Sequence, residues 1–566
     1  MLLLSSFLTF LASAFALEAG ASVDIGVSFG PGGHGDGPDH GLPLLKLPYG
    51  TWRAQTYDEE ADVYRFRNIR FAAPPVGDLR WAKPAPPEPV HGVQDGSYGH
   101  NCIAGPIPGA FDDPVFQNLT KNGGEDCLFL DVYVPGHVLK HRKKSVPVVV
   151  WIYGGGYVTG AKDQAIDLGI YGGNSLIQRA DNDLIVVSIN YRLGAFGFLA
   201  GEPLQNHGGI FNAGLHDQRA ALEWVQSYIH LLGGDPDNVS AWGESAGAGS
   251  IAHHLVAEGG RRDPLFNTAV MQSPGFAANA NIQAEYDRFE AFAAAVGCPV
   301  TGAAALHCLR AVNATALTKA NADVFGASAT PIPDGKFLRS PALYELANGN
   351  VWPGLTSLIA SHVLDEGSLF VPPQVPPGYI DGYLTGLLPR NATAQAARII
   401  NAYRTTYPNA TERELAVTVS RDIIFTCNIR AALEAYAYAG HGHGRGRTRA
   451  WALQYAFLDG VTNATHGADV SATFFDAERQ GYEAPLFEEF QRYLTNFART
   501  GDPNLPRCGS GEDELEFWPR VSGLEEEVPD DVMEFTNGGF VAGVDEQLTK
   551  GICDTWVEVV GDSMGV

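Results

Sequence analysis

Five short runs of apolar, largely β-branched residues constrain this chain most: VPVVVWIY (146–153), LIVVSIN (184–190), NVSAW (238–242), FNTAVMQ (266–272) and SLIASHV (357–363). The runs are apolar on both faces, so each is expected to be a strand buried on both sides, as in a parallel sheet covered by helices. Helix-compatible segments separate them. GLHDQRAALEWVQSYIHLLGG, for example, has helical spacing and a stop at Gly233 and Gly234. The expected class is therefore α/β, with a large, mostly parallel central sheet flanked by helices. Neither an internal repeat nor a domain-separating linker interrupts the 566 residues, which read as one domain.

A composition of 45% hydrophobic and 18% charged residues supplies ample core. Thirty-eight basic residues against 64 acidic give a net charge of −26, so the surface repels phosphate backbones and nucleic acid is not an expected partner. The opening MLLLSSFLTFLASAFALEAG has a short apolar run and small-x-small pairs at Ala12, Ala14 and Ala16. Residues 1–16 are thus expected to be a secretory signal peptide, leaving 17–566 as one secreted domain with no stable membrane insertion. The Gly-rich stretch 30–41 is expected to be a flexible N-terminal arm.

Export agrees with six Asn-x-Ser/Thr sites. Asn118, Asn313, Asn391 and Asn409 are the glycosylation candidates; Asn238 leads into a strand and Asn463 lies just before His466, so low occupancy is expected there. Seven cysteines suit an oxidising compartment, with Cys102–Cys127 and Cys298–Cys308 as the close pairs to join. His441 and His443 sit in the Gly/Arg stretch GHGHGRGRTR without further ligands, so no metal is expected there.

One strand, NVSAW, leads into AWGESAGAGS, where Ser245 stands between Gly243 and Gly247 ahead of a helix-compatible run. That is the context of a nucleophile elbow: a strained serine, with glycines where strand and helix pass closely. A serine nucleophile needs a base, an acid to orient the base, and donors for the developing oxyanion. Gly154, Gly155 and Gly156 follow a buried strand and no Gly-Lys-Ser/Thr follows them, so the triplet reads as an oxyanion hole rather than a phosphate loop. Gly155 and Gly156, with the amide of Ala246, would supply three donors. After SLIASHV come two candidate acids, Asp365 and Glu366. Of the sixteen histidines only His441, His443 and His466 follow them, and the first two lie in the Gly/Arg stretch, which leaves His466.

Nine motifs spread over the chain resemble the carboxylesterase type B family, which includes cholinesterases and fungal lipases: FRNIRFAAPPVGDLRW, GGEDCLFLDVYVP, VVVWIYGGGYVTGA, INYRLGAFGFL, NAGLHDQRAALEWV, GGDPDNVSAWGESAGAGS, LDEGS, THGAD and NFARTGDPN. The resemblance implies an α/β-hydrolase fold and a secreted serine carboxylic ester hydrolase acting on small-molecule or lipid esters, with no cofactor. It makes Ser245 the nucleophile, chooses Glu366 over Asp365 as the acid, makes His466 the base and places the oxyanion amides at Gly155, Gly156 and Ala246. It also supports the two close disulfides and suggests Cys427–Cys553, with Cys508 free.

Two departures bear on substrate. The Cys102–Cys127 loop holds no tryptophan, so the cation–π site of cholinesterases is not expected. Fungal lipases carry a longer lid in this loop; here it holds Phe111, Phe116 and Leu119 and reads as a reduced lid or a gorge rim. Pro274 stands in MQSPGF where many relatives have glycine. An esterase is the expectation, a true lipase the alternative; a non-catalytic adhesion protein on this fold would lack an intact triad.

Overall fold

The five runs lie side by side in one mixed sheet. The computed structural model describes residues 25–28, 41–106, 123–141, 145–164, 171–278, 281–326, 329–389, 392–437, 448–477, 484–504 and 515–564. Eleven strands form its main sheet: β1 (Thr56–Asp58), β2 (Val63–Arg70), β3 (Phe129–Pro135), β4 (Val146–Ile152), β5 (Ile185–Ile189), β6 (Gly234–Glu244), β7 (Thr268–Gln272), β8 (Ser357–Val363), β9 (Arg449–Tyr455), β10 (Val532–Thr536) and β11 (Gly539–Gly543). Their spatial order is β11-β10-β9-β8-β7-β6-β4-β5-β3-β2-β1. Neighbours from β10 to β5 are parallel, while β11 and β3 to β1 add antiparallel edges.

Every residue of β4, β5, β7 and β8 is buried, the reason these runs show no polar alternation. β6 is longer than NVSAW because it pairs from Gly234 with Val146 of β4. The named helices are α1 (Ala213–Tyr228), α2 (Ala246–Leu255), α3 (Cys427–Ala437), α4 (Pro485–Thr500) and α5 (Lys550–Met564). α1 continues as a 3₁₀ turn over 229–232 and stops at Gly233, whose φ of 92° only glycine adopts freely.

Outside the five runs, β1, β2, β3, β9, β10 and β11 complete the sheet. The sequence VYRFRNIR of β2 mixes charges with apolar residues because its arginines reach carboxylates beside the strand: Arg65 pairs with buried Asp131 at 2.7 Å and Arg67 with Asp163 at 2.7 Å. Alternation tied to such pairs has no signature in apolar periodicity.

Disulfides join Cys102–Cys127, Cys298–Cys308 and Cys427–Cys553, the last tying α3 to α5. Among the described residues no helix is long and apolar enough to cross a membrane. Residues 1–16, expected to be a signal peptide, lie outside the described residues, as do most of the expected N-terminal arm, Phe111, Phe116 and Leu119 of the Cys102–Cys127 loop, Asn118, Asn391, His441, His443 and Cys508. Asn313 and Asn409 are exposed, as is Asn463, whereas Asn238 is half-buried.

Candidate active site

Ser245 stands between β6 and α2 with φ 54° and ψ −126°. Left-handed angles of this kind in a non-glycine residue are strained, and the surroundings hold them in place. Its N–H donates to Gln272 O at 2.9 Å, and its carbonyl accepts from Gly249 and Gly275 at 2.8 Å each. A Cβ on Gly247 would fall 1.9 Å from the carbonyl oxygen of Ile152, so strand and helix meet at a distance only glycine allows.

His466 lies in the loop after β9 and Glu366 in the turn after β8, and an isolated parallel bridge between Asp365 and Thr465 joins the two loops. The imidazole Nε2 is 2.8 Å from Ser245 Oγ, and Nδ1 is 2.6 Å from Glu366 Oε2. Glu366 is fully buried, and its other oxygen accepts from Ser273 Oγ at 2.5 Å and from the Val363 amide at 2.9 Å. Asp365 instead accepts from the amide and hydroxyl of Ser368. The carboxylate choice between these neighbours is thus a matter of which one turns inward.

The glycine triplet packs against the serine: a Cβ on Gly154 would lie 2.8 Å from Ser245 Cβ. Gly155 and Gly156 have φ of 98° and 61°, which frees their amides from the strand ladder, and neither N–H donates to another described residue. Ala246 opens α2, where the first amides of a helix have no intrahelical acceptor.

Further residues reach the site that the sequence patterns did not single out. Glu244, inside the Gly-x-Ser-x-Gly motif, places Oε1 3.3 Å from His466 Nε2. Asp469, three residues after His466, is fully buried and accepts from Gln272 Nε2 at 2.9 Å. Phe425 and Phe370 flank the imidazole with ring centroids 4.5 and 5.2 Å away. Their signal is proximity in sequence to the triad residues for Glu244 and Asp469; Phe425 arrives from a distant segment and has none. The Pro274 carbonyl accepts from Asn428, so this substituted position is tied to the helix α3 beside the serine.

Burial opposes charge on His466, yet Glu244, Glu366 and Asp469 outweigh it and raise the imidazole to about 9. Burial pushes Glu244 up to about 8 against the pull of His466. Asp469 is raised to about 7 by burial and then by Glu366. The site is therefore built to stabilise an imidazolium, the species formed when a histidine takes a serine proton.

The carboxylesterase family profile matches residues 42–556. A secreted lipase of Arthroderma benhamiae is 40% identical over 92% of this chain and 93% of its own. Carboxylesterase patB of Penicillium expansum is 30% identical over 82% of this chain and 89% of its own. The solved structure of Aspergillus niger EstA superposes with a TM-score of 0.73 at 26% identity, covering 93% of this chain and 99% of that one. With these matches over nearly its whole length, the chain belongs to the carboxylesterase family and is a carboxylic ester hydrolase on the α/β-hydrolase fold.

Proposed function

We propose that the protein is a secreted serine hydrolase that cleaves carboxylic esters through an acyl-enzyme. The observation that carries this is the unbroken hydrogen-bond chain Ser245–His466–Glu366, set in a strained elbow beside an amide-lined glycine turn. Ser245 Oγ attacks the ester carbonyl while His466 Nε2 accepts its proton. Glu366 holds the Nδ1–H tautomer and stabilises the imidazolium. The amides of Gly155, Gly156 and Ala246 receive the tetrahedral oxyanion. His466 then returns the proton to the departing alcohol, leaving the acyl group on Ser245; a water deprotonated by the same imidazole releases the acid and restores the serine.

Secretion is supported by the secreted relative and by three disulfides, which form in oxidising compartments. The same reading has 1–16 removed on export and glycans on the exposed Asn313 and Asn409.

A second reading, a lipase, is favoured by the relative of that name and by the exposed apolar residues Leu369 and Phe370 on the loop that carries Glu366. Initial rates on p-nitrophenyl esters from acetate to palmitate, with Ser245→Ala as blank, decide between them. Rates that peak at short chains establish an esterase; rates that peak at long chains and rise above the micellar threshold establish a lipase. Undiminished hydrolysis by Ser245→Ala overturns the serine mechanism.

A further inference from the structure

Beyond the C-terminal end of α2, about 15 Å along the helix from Ser245 by its ten-residue length, a cavity of about 590 Å³ opens between α1, the turn 258–262 and the loop 334–339. Six cationic side chains line it: Lys83, Arg219, Arg261, Arg262, Lys336 and Arg339. In a chain of net charge −26 such a concentration is against the average, and the carboxylates present do not neutralise it.

Arg262 meets Glu258 at 3.3 Å, and Arg339 meets the buried Glu345 at 3.1 Å. Asp334 is occupied by the amides of Lys336 and Leu338. Arg219, nine-tenths buried, has Glu223 3.4 Å from its Nε, yet that Nε makes no hydrogen bond. Lys83, Arg261 and Lys336 form no ion pair with any described residue; Arg261 donates only to a backbone carbonyl, that of Glu258.

Two further features show that the cavity is built rather than incidental. The guanidinium of Arg339 lies directly on the backbone of Gly259, where a Cβ would come 1.8 Å from Nη2; only glycine leaves that seat open. His216, on the same face of α1 as Arg219 at the i,i+3 spacing, is pushed down to about 3 by burial and then by Lys83, Arg192, Arg219 and Arg262. It stays a neutral hydrogen-bonding group while the arginines carry the charge.

We propose that this cavity is a binding site for a tetrahedral oxyanion, phosphate or sulfate, either free or as the ester of a small molecule. Arginine forks match such an anion in a bidentate way, and the three unpaired cations supply the charge a dianion needs. The volume exceeds one inorganic ion and leaves room for the organic part of an ester.

Isothermal titration calorimetry of the full chain, at matched ionic strength set with chloride, tests this with inorganic phosphate, sulfate, glucose 6-phosphate and acetate. The expected result is saturable binding of phosphate and sulfate, weaker binding of acetate, and a loss of about tenfold or more in Arg261→Ala/Lys336→Ala. Both substituted side chains are exposed, and unchanged hydrolysis of p-nitrophenyl acetate verifies that the variant is folded. Tighter binding of glucose 6-phosphate than of phosphate assigns the site to an ester; equal binding assigns it to the free ion. Absence of phosphate and sulfate binding, equal affinity for acetate, or equal affinity in the double variant overturns the proposal.

Discussion

Among the described residues, two buried imidazoles are each clamped by a carboxylate at the same distance, and one of the two also faces a serine hydroxyl. His466 has Glu366 at 2.6 Å on Nδ1 and the Ser245 hydroxyl at 2.8 Å on Nε2. His362, on β8 just before the turn that carries Glu366, has Asp545 at 2.6 Å on Nε2 and the Val363 carbonyl at 3.0 Å on Nδ1. A hydroxyl can give up a proton; a carbonyl can only accept a hydrogen bond, so Nδ1 of His362 must donate. With both nitrogens facing acceptors, the protonated imidazole is favoured at His362, and burial, which opposes this, is outweighed by Asp545. A carboxylate–histidine dyad is therefore not catalytic in itself. What stands on the second nitrogen decides whether it moves protons or pins two segments together.

The most severe way to break the contrast is Ser245→Ala, which turns the proposed catalytic dyad into one without a proton source. Activity on p-nitrophenyl acetate should fall roughly a millionfold, with an unchanged circular dichroism spectrum. Glu366→Gln keeps the shape but loses the charge that orients the imidazole; kcat should fall on the order of ten-thousandfold with KM nearly unaltered. A loss under tenfold would mean that Glu244 or Asp469 can replace it.

A smaller effect separates the roles of the surrounding carboxylates. Because Glu244, Glu366 and Asp469 raise His466 from 6.5 to about 9, the acid limb of kcat/KM should lie above 6.5. In Glu244→Gln one of the carboxylates that raise it is gone, and the limb should move toward lower pH. A limb that stays in place would show that Glu244 does not share the proton.

The mildest change in activity is expected from His362→Gln, which removes the pinning imidazole. Breaking one partner of a buried pair costs ~3 kcal/mol, so the melting temperature should drop while turnover well below it stays within a fewfold. The sign with pH follows from the raised imidazole: its contribution is complete below the ordinary value of 6.5 and fades as pH rises through the raised one. Asp545, held below 3.8, sets the acid boundary. In thermal melts of both forms the difference should therefore be largest near neutral and mildly acidic pH and narrow as pH rises.

Local pattern carried a great deal of this. The apolar runs gave β4, β5, β7 and β8 almost to the residue, because strands covered on both faces need apolar residues at every position. The elbow was legible because its requirement is local: a glycine two residues on either side of a serine between strand and helix. Glu366 was not separable from Asp365 by pattern, since both are acids in one turn and their directions depend on Ser273, Ser368 and Val363.

The sequence by itself determined the layered α/β architecture, the strained serine and the candidates for its partners, since those follow from periodicity and from spacing along the chain. Only the tertiary structure decided that Ser245, His466 and Glu366 share hydrogen bonds across separations of 221 and 100 residues. It alone gathered six cations from separate segments into one cavity of an acidic protein. Contacts of that kind depend on how the sheet folds distant loops together, and a side chain's direction within a loop is fixed by neighbours that sequence proximity does not name.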